Sequence, residues 1–387
     1  MLVTSPLDEV KRREKALKFI ASLVQNKGRS ALYDLTGLAG GFPLQGVDLG
    51  LLETYAGPAL FTEDLNTWGT KHLGGEKLLA LNRTSSGILA SILALVKPGE
   101  EVLHYLPQQP SHPSIPRSCD LIGASYREYV VGEPVEIKEA TSLLIITGAT
   151  MDHQVIPLKE FKQSIKAAHD KGVPVMVDDA SGARLRTVIY HQPRATDLGA
   201  DLVITSTDKL MEGPRGGLMA GKTDLIDQIT VKAHQFGLEA QPPLLAAMAR
   251  ALEKFNPENL TKALERKDEL YSVLGPHLPG VEKTPTGVMI TPESLFKTLK
   301  SRGSTLTDLT KDEAAMLWAM LLLKEEHILT IPAVGMPGAS ATIRLDLASP
   351  DAGLLTNEVI RESLLNAFNS LLKVAGDLDK CRRVLYG

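Results

Sequence analysis

Short, continuous apolar runs alternate along the chain with stretches of helical period. Lys77 to Val96 reads KLLALNRTSSGILASILALV: an apolar run over Leu78 to Leu81, a polar turn over Asn82 to Gly87, and an apolar helix from Ile88 that stops at Lys97-Pro98-Gly99. Glu101 to Leu103 opens another strand. The prolines of HYLPQQPSHPSIPRSC then predict an irregular loop, followed by a strand-like run over Leu121 to Val130. Thr141 to Thr147, TSLLIIT, is apolar throughout, as expected of a strand covered on both faces. The helix after it sets Leu158, Phe161, Ile165 and Ala168 on one side. Val173 to Val177 is a further buried strand ending on paired acids, Asp178 and Asp179. Leu202 to Ile204 and Leu218 to Ala220 bracket a polar loop that carries a single lysine, Lys209. Strand, helix and strand repeated in this way predict an α/β fold with a parallel sheet and right-handed crossovers. Ligands of such sheets gather at the carboxyl ends of the strands.

The two ends of the chain read differently. Pro6 to Gln25 has the period of an amphipathic helix, with Val10, Leu17, Ile20, Ala21 and Val24 on its apolar side. From Gln241 to Leu274 the pattern is helical, with Lys262, Glu265, Arg266 and Glu269 expected outside. Strands follow at Gly287 to Ile290, Ile328 to Ile331 and Thr342 to Leu347, with helices at Pro292 to Lys300, Lys311 to Lys324 and Thr356 to Val374. The division this suggests is an N-terminal helical arm over 1–45, a large domain over 46–245 and a smaller α+β domain over 246–387.

Composition narrows the class. At 43% hydrophobic and 23% charged residues the chain is an ordinary globular one. Its net charge of −4 offers no basic footprint for nucleic acid, which argues against a tRNA partner. Cys119 and Cys381 form no C-x-x-C pair, so neither a disulfide framework nor a cysteine metal site is implied, and a reducing cytoplasm fits. The charged N-terminus lacks the apolar core of a secretion signal, and no run long enough to span a membrane occurs.

Polar clusters fall at four of the strand ends: Thr84 to Gly87, Thr150, Asp178/Asp179 and Ser206 to Lys209. A lysine at the end of a buried strand sits where desolvation favours the neutral, nucleophilic amine. The Ser/Gly turn opening a helix brings free N–H groups, hydroxyls and the positive end of a dipole together for an anion. His112, in the proline-rich loop, has an imidazole able to stack on a flat ring. One ligand accounts for all of these: pyridoxal phosphate needs an imine-forming lysine, a carboxylate for its ring nitrogen and a phosphate socket. Of the two acids, Asp178 comes first after the strand and points along the sheet end, while Asp179 faces the other side of the pleat. Gly216 to Thr223 also fits the phosphate-loop pattern G-x-x-x-x-G-K-[ST] letter for letter, but polar turn residues precede it where a buried strand is required.

The sequence resembles the aspartate-aminotransferase-like, fold type I pyridoxal-phosphate enzymes from about Lys77 onward. TSTDKLMEGPRGGLM is similar to the lysine segment of serine hydroxymethyltransferases and selenocysteine synthases. SHPSI, TGATMDHQVIPL and VMVDDASG resemble segments of the 2-amino-3-ketobutyrate ligase group. The resemblance implies a mainly parallel sheet of the seven-stranded type flanked by helices, with Lys209 forming the imine and His112 stacking on the ring. It further implies that Thr150 lies near the cofactor, Asp178 pairs with the ring nitrogen, and Ser181, where that group has histidine, approaches the ring hydroxyl. Ser85, Ser86, Gly87 and Ser206 would hold the phosphate. SATIRLDL resembles the strand whose arginine binds a substrate carboxylate, which nominates Arg344; Arg215 is a second candidate, able to reach across a homodimer. Over its whole length the chain looks most like archaeal selenocysteine-synthase-like proteins. This implies β-elimination or β-replacement on a serine- or cysteine-like amino acid, with transamination or cofactor binding without turnover as the competing readings.

Overall fold

The structure, a computed structural model, describes residues 1–38, 40–303, 306, 308–335 and 340–387. It divides into two compact units, one of Met1–Ala39 with Glu258–Gly387 and the other of Gly40–Pro257. The N-terminal segment groups with the C-terminal part of the chain, where the sequence suggests an arm of its own over 1–45. Its helix, α1 (Pro6–Lys27), buries Arg12, Ala16 and Leu23. This is a different face from the one expected, for Val10 and Leu17 are half exposed. The reason is Arg12, whose guanidinium reaches inward to carbonyls of Pro332 and, at 2.9 Å, Ala333.

In the larger unit α2 (Gly46–Leu52) and α3 (Ala56–Leu73) precede β1 (Lys77–Leu81), α4 (Thr84–Leu95), β2 (Glu101–Leu106), α5 (Ser114–Ile122), β3 (Ser125–Val130) and β4 (Thr141–Thr147). Then come α6 (Leu158–His169), β5 (Val175–Asp178), β6 (Leu202–Ser206), β7 (Gly217–Gly221), α7 (Thr223–Phe236) and α8 (Pro242–Glu253). These strands form the seven-stranded sheet expected, in the order β1-β7-β6-β5-β4-β2-β3. All pairs are parallel except those of β7, which runs antiparallel to both β1 and β6. One face packs against α4, α5 and α7 through residues such as Ile88, Cys119 and Ile229. The other packs against α3, α6 and α8 through Leu65, Phe161 and Met248. Burial on both faces is why the strands read as unbroken apolar runs.

Four helices depart from the sequence reading. The run at Leu121 is the end of helix α5; its Pro116 stands in the first turn, where the missing N–H has no helical acceptor to lose. α4 begins at Thr84, so the polar cluster is its first turn and not a loop before it. α3 and α7 carry no expectation from the pattern. In α3 glycine serves close packing, since a Cβ on Gly69 would come 2.7 Å from Leu78.

The smaller unit has a sheet of β8 (Val281–Thr284), β9 (Gly287–Ile290) and β10 (Ile343–Asp346), antiparallel in the order β10-β9-β8. Its core is built around α9 (Lys311–Glu326), whose Trp318 is fully buried edge-on to Phe368 of α10 (Asn357–Val374). Arg266, expected outside, is half-buried and donates to carbonyls of Ala352 and Leu355. Among the described residues no helix is long and apolar enough to cross a membrane.

Candidate active site

The carboxyl ends of the parallel strands bring most of the nominated residues together. Ser206 ends β6 opposite Gly217 of β7, and Gly217 lies opposite Leu81 at the end of β1. A Cβ on Gly217 would come 2.6 Å from the Arg83 carbonyl, so β7 starts against the N-terminus of α4. This close approach explains Gly217, while Gly213 and Gly216 are set against the Thr207 carbonyl and Met248. No side chain caps the first turn of α4, and Thr84, Ser85 and Ser86 are half-buried there. Uncapped N–H groups and hydroxyls at a helix start suit an anion. Gly87 contributes differently from expectation: it is buried, and a Cβ would come 2.2 Å from Ile204, so it holds α4 down on the sheet.

Asp178 and Asp179, adjacent in sequence, have opposite environments. Asp179 is bound by Arg186, which donates from Nε at 3.0 Å and from Nη2. A Cβ on either Gly148 or Gly182 would come 2.0 Å from Asp179 Oδ1, so the carboxylate fills a slot between two glycines. Asp178, in register with Thr147 and Ile204, has a buried Oδ1 with no partner. Burial pushes its carboxyl up to about 6, the charge of Lys209 pulls the other way, and Asp179 adds repulsion. The orphaned oxygen belongs to Asp178, the acid preferred from the sequence.

Lys209 is half-buried, and its Nζ lies 3.1 Å from the Met151 sulfur. Ser206, nominated for the phosphate, donates its hydroxyl proton to Asp208. Arg215 is exposed and stands 3.6 Å from Asp208. His112 is half-buried before α5; its Nδ1 accepts the Ser114 N–H at 3.2 Å. Thr150 accepts the Gln154 N–H on its hydroxyl at 3.1 Å, closing the turn after β4. Ser181 is buried at the start of the helical segment Gly182–Arg184. Arg344 belongs to the smaller unit, where it is buried on β10 and donates from Nη2 to the Thr36 carbonyl at 3.3 Å.

Gly216 to Thr223 is not a phosphate loop. Its middle is strand β7, Lys222 precedes α7, and the Lys222 amine lies 2.6 Å from Asp201.

The chain is 52% identical over 390 residues to a UPF0425 pyridoxal phosphate-dependent protein of Methanothermobacter thermautotrophicus, covering 100% of both chains. It is 50% identical over 373 residues to one of Methanosphaera stadtmanae, covering 96% of this chain and 97% of that one. The chain belongs to the UPF0425 family of pyridoxal phosphate-dependent proteins. Within this family member the UPF0425 C-terminal domain matches residues 277–356 and L-seryl-tRNA selenium transferase matches residues 122–269. N-succinyldiaminopimelate aminotransferase from Mycobacterium tuberculosis has the same fold at a TM-score of 0.55 and 17% identity, over 94% of this chain and 98% of that one. The architecture is that of the fold type I pyridoxal-phosphate enzymes.

The donor set of this UPF0425 chain fits the cofactor. The orphaned Asp178 oxygen lacks a donor of the kind a protonated ring nitrogen provides, and the uncapped start of α4 suits a phosphate. Two buried groups nearby escape the sequence. His104, inside β2, is fully buried and bonded at 2.8 Å to both Tyr126 and Thr147; burial pulls it down to about 4. A lone histidine in the apolar run EVLHYL is its only signal. Arg184 is fully buried beneath the lysine turn. Nothing in GARLR distinguishes it from a surface arginine.

Proposed function

We propose that this chain is a pyridoxal-phosphate-dependent enzyme acting on a small amino acid, by β-elimination or β-replacement on a serine- or cysteine-like substrate. The observation that carries the reading is Asp178: a buried carboxylate oxygen without a partner, at the end of a central strand, within the field of Lys209. When bound, the cofactor supplies an electron sink for charge left on the substrate's α-carbon. Asp178 would accept a hydrogen bond from the protonated ring nitrogen, and with its carboxyl at about 6 it is ionised at neutral pH to do so. Lys209 is the anchoring nucleophile and the base that takes the α-proton. Ser85, Ser86 and the opening amides of α4 hold the phosphate, while Gly87 keeps that helix seated on the sheet. His112 covers the ring, and Thr150 and Ser181 line it. Arg344 and Arg215 carry the guanidiniums nominated for a substrate carboxylate.

A second copy of the chain is the partner proposed, in the cytoplasm and without tRNA. Phe42, Val47, Leu49, Tyr55 and Leu60 are all exposed within one stretch. Of its two acids, Asp48 is tied inward to Arg250 at 2.9 Å, which leaves Glu53 as the exposed charge on this stretch. Sedimentation should give a dimer that Val47→Glu with Leu49→Glu splits, and a monomeric wild type would refute it.

The test of function is direct. Adding pyridoxal phosphate to the purified protein should produce a visible absorbance band that borohydride removes. An amino-acid panel should then release pyruvate or another keto acid from serine- or cysteine-like members. A folded protein that takes up no cofactor would overturn the reading.

A further inference from the structure

The turn that carries Lys209 is strained. Leu210, the next residue, has φ 57, in the left-handed region that a branched side chain occupies only when its surroundings impose it. Arg184 lies fully buried against this turn. Its Nη1 donates to the carbonyls of Ser206 at 2.7 Å and Lys209 at 3.0 Å, and lies 3.2 Å from the Thr205 hydroxyl and 3.4 Å from the Ala180 carbonyl. Its Nη2 faces the Met211 sulfur at 3.7 Å. Every acceptor is neutral. The carboxylates whose charge it feels, Asp208 and Asp179, bond to other groups: Asp208 to Ser206 with Arg215 beyond, and Asp179 to Arg186. A buried guanidinium without a bonded carboxylate is costly to keep.

The geometry points to Arg184 as the positioning residue of the site: it pins the Ser206–Lys209 turn by its carbonyls and holds a fixed positive charge behind the lysine. The inference rests on the assignment of Lys209 as the cofactor's anchor. A cation held near an amine favours the amine's neutral form, which is the form that reacts. The other charged and titratable groups facing this region are Asp178, which feels Lys209, and His72, which feels Arg184 and which burial pulls down to about 3. A lysine at 184 keeps the charge and loses the fork; a methionine keeps the bulk and loses the charge.

Two readouts separate positioning from simple stability. In the apo-protein, hydrogen exchange of the peptide spanning 205–212 should quicken about tenfold or more in Arg184→Met, because the strained turn loses the donor that clamps its carbonyls. With pyridoxal phosphate, the pH midpoint for borohydride fixation on Lys209 should rise by about one unit in Arg184→Met and stay at the wild-type value in Arg184→Lys. Lower thermal stability in the methionine variant with both midpoint and turn protection unchanged would overturn the inference. Should the methionine variant not fold, the lysine variant decides alone: faster exchange at an unchanged midpoint supports the proposal, and any other combination contradicts it. If wild-type protein takes up no cofactor, the functional reading fails, while the exchange experiment still tests the clamp.

Discussion

The two ends of the large sheet are built to opposite rules. At the amino end of the parallel strands the charged groups are matched. Asp201 accepts the Val175 N–H and the His169 imidazole, both at 2.8 Å, and pairs with Lys222. Burial pushes its carboxyl up, but the hydrogen bonds from Lys222, His169 and Val175 outweigh this and hold it below the usual range. Glu101 is likewise closed by Arg127 at 2.7 Å and by Thr141. At the carboxyl end Asp178 keeps an unmatched oxygen and a raised carboxyl, α4 starts uncapped, and Leu210 is strained. The same strands therefore carry a finished end and one whose polar groups await a ligand. Unsatisfied buried polar groups cost stability, and a fold retains them where a ligand completes them.

Substitutions at the carboxylates of the sheet should differ by what each one faces: a buried counter-charge at Asp179, an unmatched oxygen at Asp178, a half-exposed partner at Asp201. The largest effect is expected for Asp179→Asn, which strips the buried Arg186 of its counter-charge and should cost about 3–5 kcal/mol in chemical denaturation. Asp178→Asn should act the other way on the apo-protein. The folded carboxyl titrates near 6 against 3.8 for an ordinary aspartate, so the folded state binds the extra proton between these values. Apo stability then falls as pH rises from about 4 to 6 and stays low above, and the asparagine form should regain on the order of 2 kcal/mol at pH 8. Cofactor affinity should drop about 100-fold in the same variant, since one buried charge-assisted hydrogen bond is lost. A stabilised variant that binds pyridoxal phosphate as well as wild type would break the comparison.

At the finished end the effects should be smaller and confined to stability. Asp201→Asn should cost about 1–2 kcal/mol at pH 7 with unchanged cofactor affinity. That contribution, tied to a lowered carboxyl, is present above the unfolded pKa and lost as pH falls through the folded one. Lys222→Ala should cost about 1 kcal/mol or less, its ammonium being half exposed. Magnesium-dependent nucleotide affinity should be absent from wild type and variant alike in equilibrium binding; its presence would revive the phosphate-loop pattern.

The sheet and much of the site were legible because strands covered on both faces leave no room for polar residues except at their ends. Asp178 and Lys209 stand out for that reason alone. What escaped was what depends on partners far along the chain. The inward face of α1 follows from carbonyls at Pro332 and Ala333, and the burial of Arg184 follows from a turn more than twenty residues downstream. Gly87 and Gly217 were visible as glycines, but whether they bind a ligand or let two backbones meet is settled only by what their missing Cβ atoms would strike. The bond from Ser206 to Asp208 escaped too, because an aspartate two residues on reads as a plain turn residue.

The most direct measurement is to incubate the protein with pyridoxal phosphate, reduce with borohydride, digest and map the modified residue by mass spectrometry. The account expects the label on Lys209, and its loss from Lys209→Ala. A folded wild type without label, or with label on Lys222 or another lysine while Lys209 stays unmodified, would contradict it.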